Sequence, residues 1–324
     1  MAGAGRVLLL TDPAMAGHQA PGHPERPERA DAAASGVADG ASAAGAVLER
    51  RAVTPADAAA LERVHPSAYL ALLDDAALQG GGWIDGDTYL GPESMAAARL
   101  AAGATVQAAI AAVGGEAQVA FAVVRPPGHH ARRERSAGFC LLNNIAVAVL
   151  ALRAAGLAQR IAIVDWDVHH GDGTQATFDA DPDLWFASTH QSPLYPGTGA
   201  ASERGTGPGL GTKHNLPLPP GSGDAEFTAA WQTELLPAVE AFGPEAILVS
   251  AGYDAHRSDP LAELDVTEAG YRSVAEAIGR LSRARGLGGV ALTLEGGYDL
   301  DALRQSTAST VAGLLAGLSG PDAG

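Results

Sequence analysis

Short apolar runs alternate with longer alanine-rich stretches along most of the chain. The apolar runs, rich in valine, isoleucine and leucine, predict strands at residues 7–11, 119–125, 161–167, 184–189, 246–251 and 290–294. The alanine-rich stretches predict helices at residues 94–113, 143–155, 225–242, 267–285 and 301–318. Strands that alternate with crossover helices indicate an α/β fold with a mostly parallel sheet, flanked by helices on both faces.

The predicted helix at 267–285 shows its periodicity most clearly. Its apolar side chains recur at helical spacing: Tyr271, Val274, Ala275, Ile278 and Leu281. Thr267 stands where a hydroxyl can cap the first turn.

The chain is predicted to form a single domain. Its 324 residues contain no internal repeat and no dividing linker, so we expect one domain over 1–324 with a core at about 8–318. The stretch 192–223 is rich in glycine and proline and too long for a plain connection. Loops of that length in a compact domain are usually functional or disordered.

The net charge of −16 narrows the choice of partners. A surface this acidic repels phosphate backbones, which disfavours direct nucleic-acid binding. It would attract cationic substrates such as lysine-rich peptides or polyamines, although the same charge also serves ordinary solubility. Only one of the 21 basic residues is a lysine, Lys213.

We expect neither a membrane segment nor a secretory signal, and therefore a cytoplasmic protein. No stretch approaches the roughly 18–20 continuous apolar residues of a membrane helix. The apolar run at 7–10 is short and lacks a small-residue cleavage site. Cys140 is the only cysteine, which leaves no intrachain disulfide and favours a small buried side chain over a catalytic thiol.

Five predicted strands end in unusual polar residues. These segments lie at 125–130, 165–170, 188–190, 250–254 and 295–298. In open parallel sheets, ligands bind outside the carboxyl ends of the strands. The sequence therefore predicts one site at that rim.

An alternation of Asp165, Asp167 and His169 ends one of these apolar strands. With a period of two, the three side chains would share one face. Asp167 and His169 could then reach one ion, and Asp254 from a neighbouring strand could complete the ligand set. Two carboxylates and an imidazole suit Zn²⁺, with Fe²⁺ as the alternative, and leave positions open to water and substrate. Because buried charge needs a partner, a metal site is favoured over surface caps.

The adjacent His129 and His130 add proton chemistry to this rim. Hydrolysis of an amide needs a base for the attacking water and an acid for the leaving amine. Asp165 and Asp172 are natural carboxylates to orient the two imidazoles. Tyr298 follows two glycines and could donate a hydrogen bond to a developing oxyanion.

Six motifs stand in a fixed order along the chain: RPPGHH at 125–130, GFCLLNN at 138–144, DWDVHHGDGT at 165–174, PGTG at 196–199, SAGYD at 250–254 and LEGGY at 294–298. This order resembles that of histone deacetylase-like amidohydrolases, in the bacterial class II-type branch near acetylpolyamine amidohydrolases. HPERPER at 23–29 also fits, and the likeness extends over about 8–318.

The resemblance implies the arginase/deacetylase fold and assigns roles to the polar residues. The zinc ligands would be Asp167, His169 and Asp254. His130 would be the general base, His129 its electrostatic partner or the acid, and Tyr298 the group that polarises the acyl carbonyl. A structural potassium ion would lie near Asp165, Asp167, His169, Ser188 and Thr189. The substrate would contact Gly138, Phe139, Tyr195 and Asp87 in a narrow tunnel.

These features predict a zinc-dependent deacetylase that acts on an acetylated amine. Acetyl-lysine in proteins or peptides is the expected substrate, with acetylpolyamines or small acetamides as the alternative. Ureohydrolases of the same fold need two bridged manganese ions, and no Asp-x-Asp pair accompanies Asp254. A non-catalytic or acetoin-utilisation-type regulatory protein is the alternative from another class. A homo-oligomer is left open.

Overall fold

Ten strands lie in residues 5–320, the part of the chain that the computed structural model describes. In chain order they are β1 (Arg6–Leu10), β2 (Val47–Arg51), β3 (Gly82–Trp83), β4 (Tyr89–Leu90), β5 (Val119–Ala122), β6 (Ile161–Asp165), β7 (Leu184–Gln191), β8 (Lys213–Leu218), β9 (Ala246–Ala251) and β10 (Val290–Leu294). Eight of them form one parallel sheet in the order β2-β1-β5-β10-β9-β6-β7-β8. Strands β3 and β4 form a separate antiparallel hairpin.

The α-helices connect the strands and cover the sheet. They are α1 (Glu28–Ala43), α2 (Ala58–Glu62), α3 (Ser67–Leu78), α4 (Ser94–Val113), α5 (Asn144–Ala154), α6 (Asp172–Phe178), α7 (Asp224–Ala229), α8 (Leu236–Phe242), α9 (Glu268–Ala284) and α10 (Leu300–Ser319). The helix predicted at 225–242 is interrupted by a π-helical turn at Ala230–Leu235.

Apolar side chains fill both faces of the sheet. Along β1, Leu8 and Leu10 pack into one core with residues of α3, α4 and α5. Val7 and Leu9 pack into the opposite core with residues of α1, α9 and α10. Since strands buried on both faces must be apolar throughout, this arrangement explains the continuous apolar runs. The predicted α/β fold class is confirmed.

Helix α4 has the length and composition of a membrane-crossing segment, with a hydropathy of 1.4. It is the one such helix among residues 5–320, and sequence analysis did not single it out. Within the fold, 67% of its apolar window is buried. Helix α4 packs against β1, β5 and β10, as a core helix does.

Helix α9 has the cap and the buried face that its sequence predicts. The Thr267 hydroxyl accepts a hydrogen bond from the Ala269 amide at 3.2 Å. Tyr271, Val274, Ala275, Ile278 and Leu281 are all buried.

The stretch 192–223 contains a strand that the apolar pattern did not predict. Strand β8 forms the edge of the sheet beside β7. Its buried positions include the polar residues Lys213 and Asn215. The Lys213 ammonium is fully buried and donates to the Leu184 carbonyl at 3.0 Å and to the Thr212 hydroxyl at 2.6 Å.

Strand β6 ends at Asp165, two residues before its predicted end. The Asp165 carboxylate accepts a hydrogen bond from the Asp167 amide at 3.2 Å, and this contact turns the chain out of the sheet. The prediction that Asp165, Asp167 and His169 share one strand face is therefore wrong. Strand β5 likewise stops at Ala122, before the predicted end at 125.

Candidate metal and catalytic site

The three predicted metal ligands lie together beyond the carboxyl ends of β6 and β9. Their ligand atoms all lie within 4.8 Å of one another. His169 Nδ1 is 3.1 Å from Asp167 Oδ1 and 3.2 Å from Asp254 Oδ2. Two ligands at the usual 2.0–2.2 Å from a tetrahedral zinc ion lie about 3.4 Å apart. The donor types and their spacing therefore fit a divalent ion.

Local hydrogen bonds hold these ligands in place. The His169 amide donates to Asp167 Oδ1 at 2.9 Å, so the segment after β6 forms two successive aspartate turns. The Val168 amide donates to Asp254 Oδ1 at 2.9 Å and ties the two ligand segments together. These turns bring the side chains of Asp167 and His169 together, so the two residues do not need to share a strand face.

Backbone passes against the carboxylates where side chains would not fit. The Gly296 amide donates to Asp167 Oδ2 at 2.7 Å, and a methyl group on Gly296 would overlap both Asp167 and Asp254. Burial opposes protonation of His169, but hydrogen bonding to the two carboxylates raises its pKa to about 10. The carboxylates of Asp167 and Asp254 therefore strongly favour a positive charge beside them, which either protonated His169 or a metal ion supplies.

Each histidine of the tandem pair contacts its own carboxylate. His129 Nδ1 lies 3.1 Å from Asp165 Oδ2, and His130 Nδ1 lies 2.8 Å from Asp172 Oδ1. A carboxylate only accepts hydrogen bonds, so each Nδ1 carries a proton. His130 Nε2 has no hydrogen-bond partner among residues 5–320 and belongs to the wall of a cavity.

The two imidazoles differ in charge. Burial would lower the pKa of His129, but the carboxylates of Asp167 and Asp165 raise it well above its usual value. Burial and the neighbouring His129 charge lower the pKa of His130 to about 3. The surroundings thus favour the protonated form of His129 and the neutral form of His130.

The Glu295 carboxylate binds the backbone that carries the histidine pair. Sequence analysis did not assign it this role. Its carboxylate accepts the Gly128 amide at 2.7 Å, the His129 amide at 3.1 Å and the Ser250 hydroxyl at 3.1 Å. Glu295 is fully buried. A glutamate that directly follows an apolar strand is the sequence signal that could have identified it.

Tyr298 lines the same cavity and is held through its backbone and ring. Its amide donates to Asp259 Oδ2 at 2.7 Å, and the Arg29 guanidinium lies 4.8 Å from the ring centroid. Arg29 also donates to the carbonyls of Glu295 and Gly297, both at 2.5 Å. The glycine-rich segment before Tyr298 is thus fixed by a buried cation.

A buried ion cluster joins the amino-terminal HPERPER segment to the site. The Glu25 carboxylate accepts from Arg29 at 2.9 Å and from Arg125 at 2.5 and 2.6 Å. All three side chains are fully buried. Burial opposes ionisation of Glu25, but Arg125 and Arg29 lower its pKa to about 2. Sequence analysis noted the motif without assigning this role.

A cavity of about 210 Å³ opens onto the metal ligand His169. Its walls include Asp87, His129, His130, Gly138, Phe139, Tyr195 and Tyr298. Phe139 has a φ of 69°, in the left-handed region that bulky residues avoid. The Phe139 amide donates to the Thr88 hydroxyl at 3.2 Å. Strain of this kind persists where the surroundings fix it, as they do at functional sites.

The residues expected around a potassium ion are adjacent and buried. Asp165 and Ser188 are paired in register between β6 and β7. The Ser188 hydroxyl lies 3.0 Å from His190 Nδ1, and the Thr189 hydroxyl accepts from Trp231 at 3.0 Å. The side-chain oxygens of Ser188 and Thr189 therefore already have protein partners.

Cys140 is fully buried, and its thiol donates to the Gly138 carbonyl at 3.3 Å. Burial raises the pKa of this thiol well above its usual value. A thiol held protonated in this way is a poor nucleophile.

Known proteins are similar to this chain in sequence and in fold. Residues 23–314 match the histone deacetylase domain family. The chain is 40% identical over 299 residues to histone deacetylase 15 of Arabidopsis thaliana, a match that covers 90% of this chain and 53% of that protein. It is 38% identical over 252 residues to the histone deacetylase-like amidohydrolase of Pseudomonas aeruginosa, covering 78% of this chain and 66% of that protein.

The solved structure of the acetylpolyamine aminohydrolase from Burkholderia pseudomallei superposes with a TM-score of 0.84 at 31% identity. The match covers 95% of this chain and 98% of that one. The chain spans about half the length of the Arabidopsis relative. The resemblance drawn from the six motifs is confirmed: the protein has the arginase/deacetylase fold and belongs to the histone deacetylase domain family.

Proposed function

We propose that this chain is a metal-dependent amidohydrolase that removes acetyl or related acyl groups from amines. One observation carries the proposal. His169 of the proposed metal-ligand cluster, the histidine pair and Tyr298 all line one cavity of about 210 Å³. Family membership supports the same reaction class.

The ion is proposed to be Zn²⁺, with Fe²⁺ as the alternative in the cell. Asp167, His169 and Asp254 would hold it, and two carboxylates with one imidazole suit either metal. A bound ion would supply Lewis-acid activation of the acyl carbonyl and of the attacking water.

His130 is proposed as the general base. With Nδ1 bound to Asp172, its Nε2 takes a proton from water as the new C–O bond forms. The cationic His129 beside it stabilises negative charge in the transition state, and Tyr298 donates a hydrogen bond to the carbonyl oxygen. When the C–N bond breaks, the proton passes from the histidine pair to the leaving amine.

The proposed substrate is acetyl-lysine in a protein or peptide, with acetylpolyamines or small acetamides as the alternative. Gly138, Phe139 and Tyr195 form walls that fit a linear chain, and Asp87 in the same wall would bind an amide or a cation of the substrate. Among the relatives, both histone deacetylases and an acetylpolyamine aminohydrolase occur.

A potassium ion near Asp165, Asp167, His169, Ser188 and Thr189 is part of the proposal. With the Ser188 and Thr189 hydroxyls already engaged, it would rely on Asp165 and on backbone carbonyls. A cytoplasmic location is likewise proposed.

A turnover screen tests the function and the substrate together. The zinc-loaded protein is assayed with acetyl-lysine peptides, acetylputrescine, acetylspermidine, longer acyl-lysines and arginine, with a metal-chelated sample as the control. Hydrolysis of one of the acylated amines, lost on chelation and restored by zinc, is the expected result. Urea release from arginine would instead support the ureohydrolase alternative, and inactivity on every acylated amine would contradict the proposal.

A further inference from the structure

The Asp172 carboxylate divides its two oxygens between two cationic or donating groups. Oδ1 lies 2.8 Å from His130 Nδ1. Oδ2 accepts two hydrogen bonds from the Arg132 guanidinium, from Nε at 2.9 Å and from Nη2 at 2.7 Å. No other histidine–carboxylate pair in residues 5–320 has an arginine on the same carboxylate at hydrogen-bond distance, apart from the His18–Glu25 contact. Within the tandem histidine pair, only the carboxylate partner of His130 has such an arginine.

The backbone around Arg132 fixes the reach of its side chain. The Arg132 amide donates to the Arg135 carbonyl at 2.9 Å in a tight turn directly after the histidine pair. Gly173 packs against the backbone of His130 and Ala131, where a methyl group would overlap. The segments that carry His130, Arg132 and Asp172 are thus packed closely against each other.

The contrast with the second pair shows what Arg132 adds. Asp165, the partner of His129, is fully buried, and its other oxygen accepts only the Asp167 amide. Asp172 keeps 9% of its side chain exposed and lies at the wall of an open surface cavity. Without Arg132, water could bind Oδ2 and the carboxylate could rotate. A guanidinium that is always charged prevents both.

We propose that Arg132 is a positioning residue that locks the Asp172 carboxylate and thereby keeps His130 in the tautomer with Nδ1 protonated and Nε2 free. The inference rests on the proposed amide hydrolysis, in which that Nε2 accepts the water proton. Arg132 acts through Asp172 and touches no substrate.

Arg132→Gln, Arg132→Lys and the control Arg135→Gln test the inference. Arg135 is exposed in the same turn, so its variant removes an equal charge without touching Asp172. In Arg132→Gln we expect kcat to fall about tenfold, the loss typical of an orienting partner, with KM, zinc content and Tm close to wild type. Arg132→Lys restores the charge with a single donor nitrogen and should recover part of the loss, and Arg135→Gln should be unaffected.

A second readout does not depend on turnover. Long-range ¹H–¹⁵N spectra of histidine-labelled, metal-free protein, assigned with a His130→Gln variant, report the tautomer of His130. Wild type should show a single Nδ1-protonated form, and Arg132→Gln a mixture. An unchanged tautomer, or a kcat loss of equal size in Arg135→Gln, would overturn the inference. If wild type turned over no substrate but the tautomer shifted as expected, the proposed function would fail while the positioning role stood.

Discussion

Both carboxylate oxygens of Asp254 contact the segment that carries the other proposed metal ligands. Oδ2 faces His169, and Oδ1 accepts the Val168 amide that ties the two ligand segments together. Removing this side chain therefore removes a ligand and loosens the other two.

For Asp254→Ala, we expect the zinc affinity to fall at least about 100-fold, since loss of a mere outer partner already costs 10–100-fold. Elemental analysis after dialysis and a competition titration with a chelator would measure it. Asp265→Ala is the matched control, because Asp265 is exposed on the same segment. One equivalent of zinc retained in Asp254→Ala would rule out this ligand set.

Tyr298 is proposed to act on the substrate and not on the metal. Its position depends on Asp259 and Arg29, which are independent of its hydroxyl. The ring should therefore stay in place when the hydroxyl is removed.

Tyr298→Phe should lower kcat by about 10²–10³, the usual loss for one oxyanion donor, and leave zinc content unchanged. Steady-state kinetics and elemental analysis would show both effects. Tyr89→Phe, on the hairpin strand β4, is the control. Turnover near that of wild type in Tyr298→Phe would contradict the oxyanion role.

At the scale of elements, a buried histidine, His65, binds the backbone at the start of α5. His65 Nε2 accepts the amide of Asn143, the N-cap of the helix, at 2.9 Å, and Nδ1 contacts the Arg133 carbonyl at 3.1 Å. Burial lowers the pKa of His65 to about 4, from 6.5 in the unfolded chain. The unfolded state therefore binds more protons between these values, so the stability from neutral His65 is complete above pH 6.5 and is lost as the pH falls towards 4.

A His65→Gln variant should keep the acceptor but lose the titration. Between pH 7.5 and pH 5 we expect its unfolding free energy to fall by about 2 kcal/mol less than that of wild type, the amount that a single proton linkage with these pKa values gives. Urea unfolding at the two pH values would measure this difference. Identical pH dependence in both proteins would show that His65 does not carry the effect.

Sequence predicted the elements in which apolar pattern and structure coincide. Helix α4 and strand β10 have the predicted bounds, because the continuous apolar runs there are buried in the core. Strand β8 was missed because Lys213 and Asn215 occupy its buried face, and α1 because alanine and glycine give it little contrast between faces. Apolar periodicity cannot detect buried positions that are occupied by polar residues or by residues with very small side chains.

The site residues were predictable from type and order, whereas their support was not. Asp167 and His169 were placed on a strand, but turns of the aspartate side chains position them. Glu295 and Arg132 contact their partners across 166 and 40 positions of sequence. Contacts of that separation depend on the tertiary fold, which a local pattern does not contain.

At the scale of the whole molecule, the chain has a net charge of −16, and Asp87 lines the cavity. A cationic substrate would be drawn to it, and salt would screen that attraction within about 8–10 Å at physiological ionic strength. Ordinary solubility alone would give no such dependence on the substrate's charge.

We therefore expect kcat/KM for acetylspermidine or an arginine-flanked acetyl-lysine peptide to fall several-fold between about 0.02 and 0.3 M salt. A neutral acetyl-lysine derivative is the paired control and should change little. Equal salt dependence for charged and neutral substrates would mean that the acidic surface does not steer them.

The burial of Lys213 leaves the outside of the folded protein without any lysine side chain, since the sequence has no other. An enzyme that acts on acylated amines would thus expose no ε-amine of its own to acquire such a modification or to compete with its substrate. The same property makes labelling of the ε-amine a probe of unfolding, because Lys213 is fully buried in the folded protein.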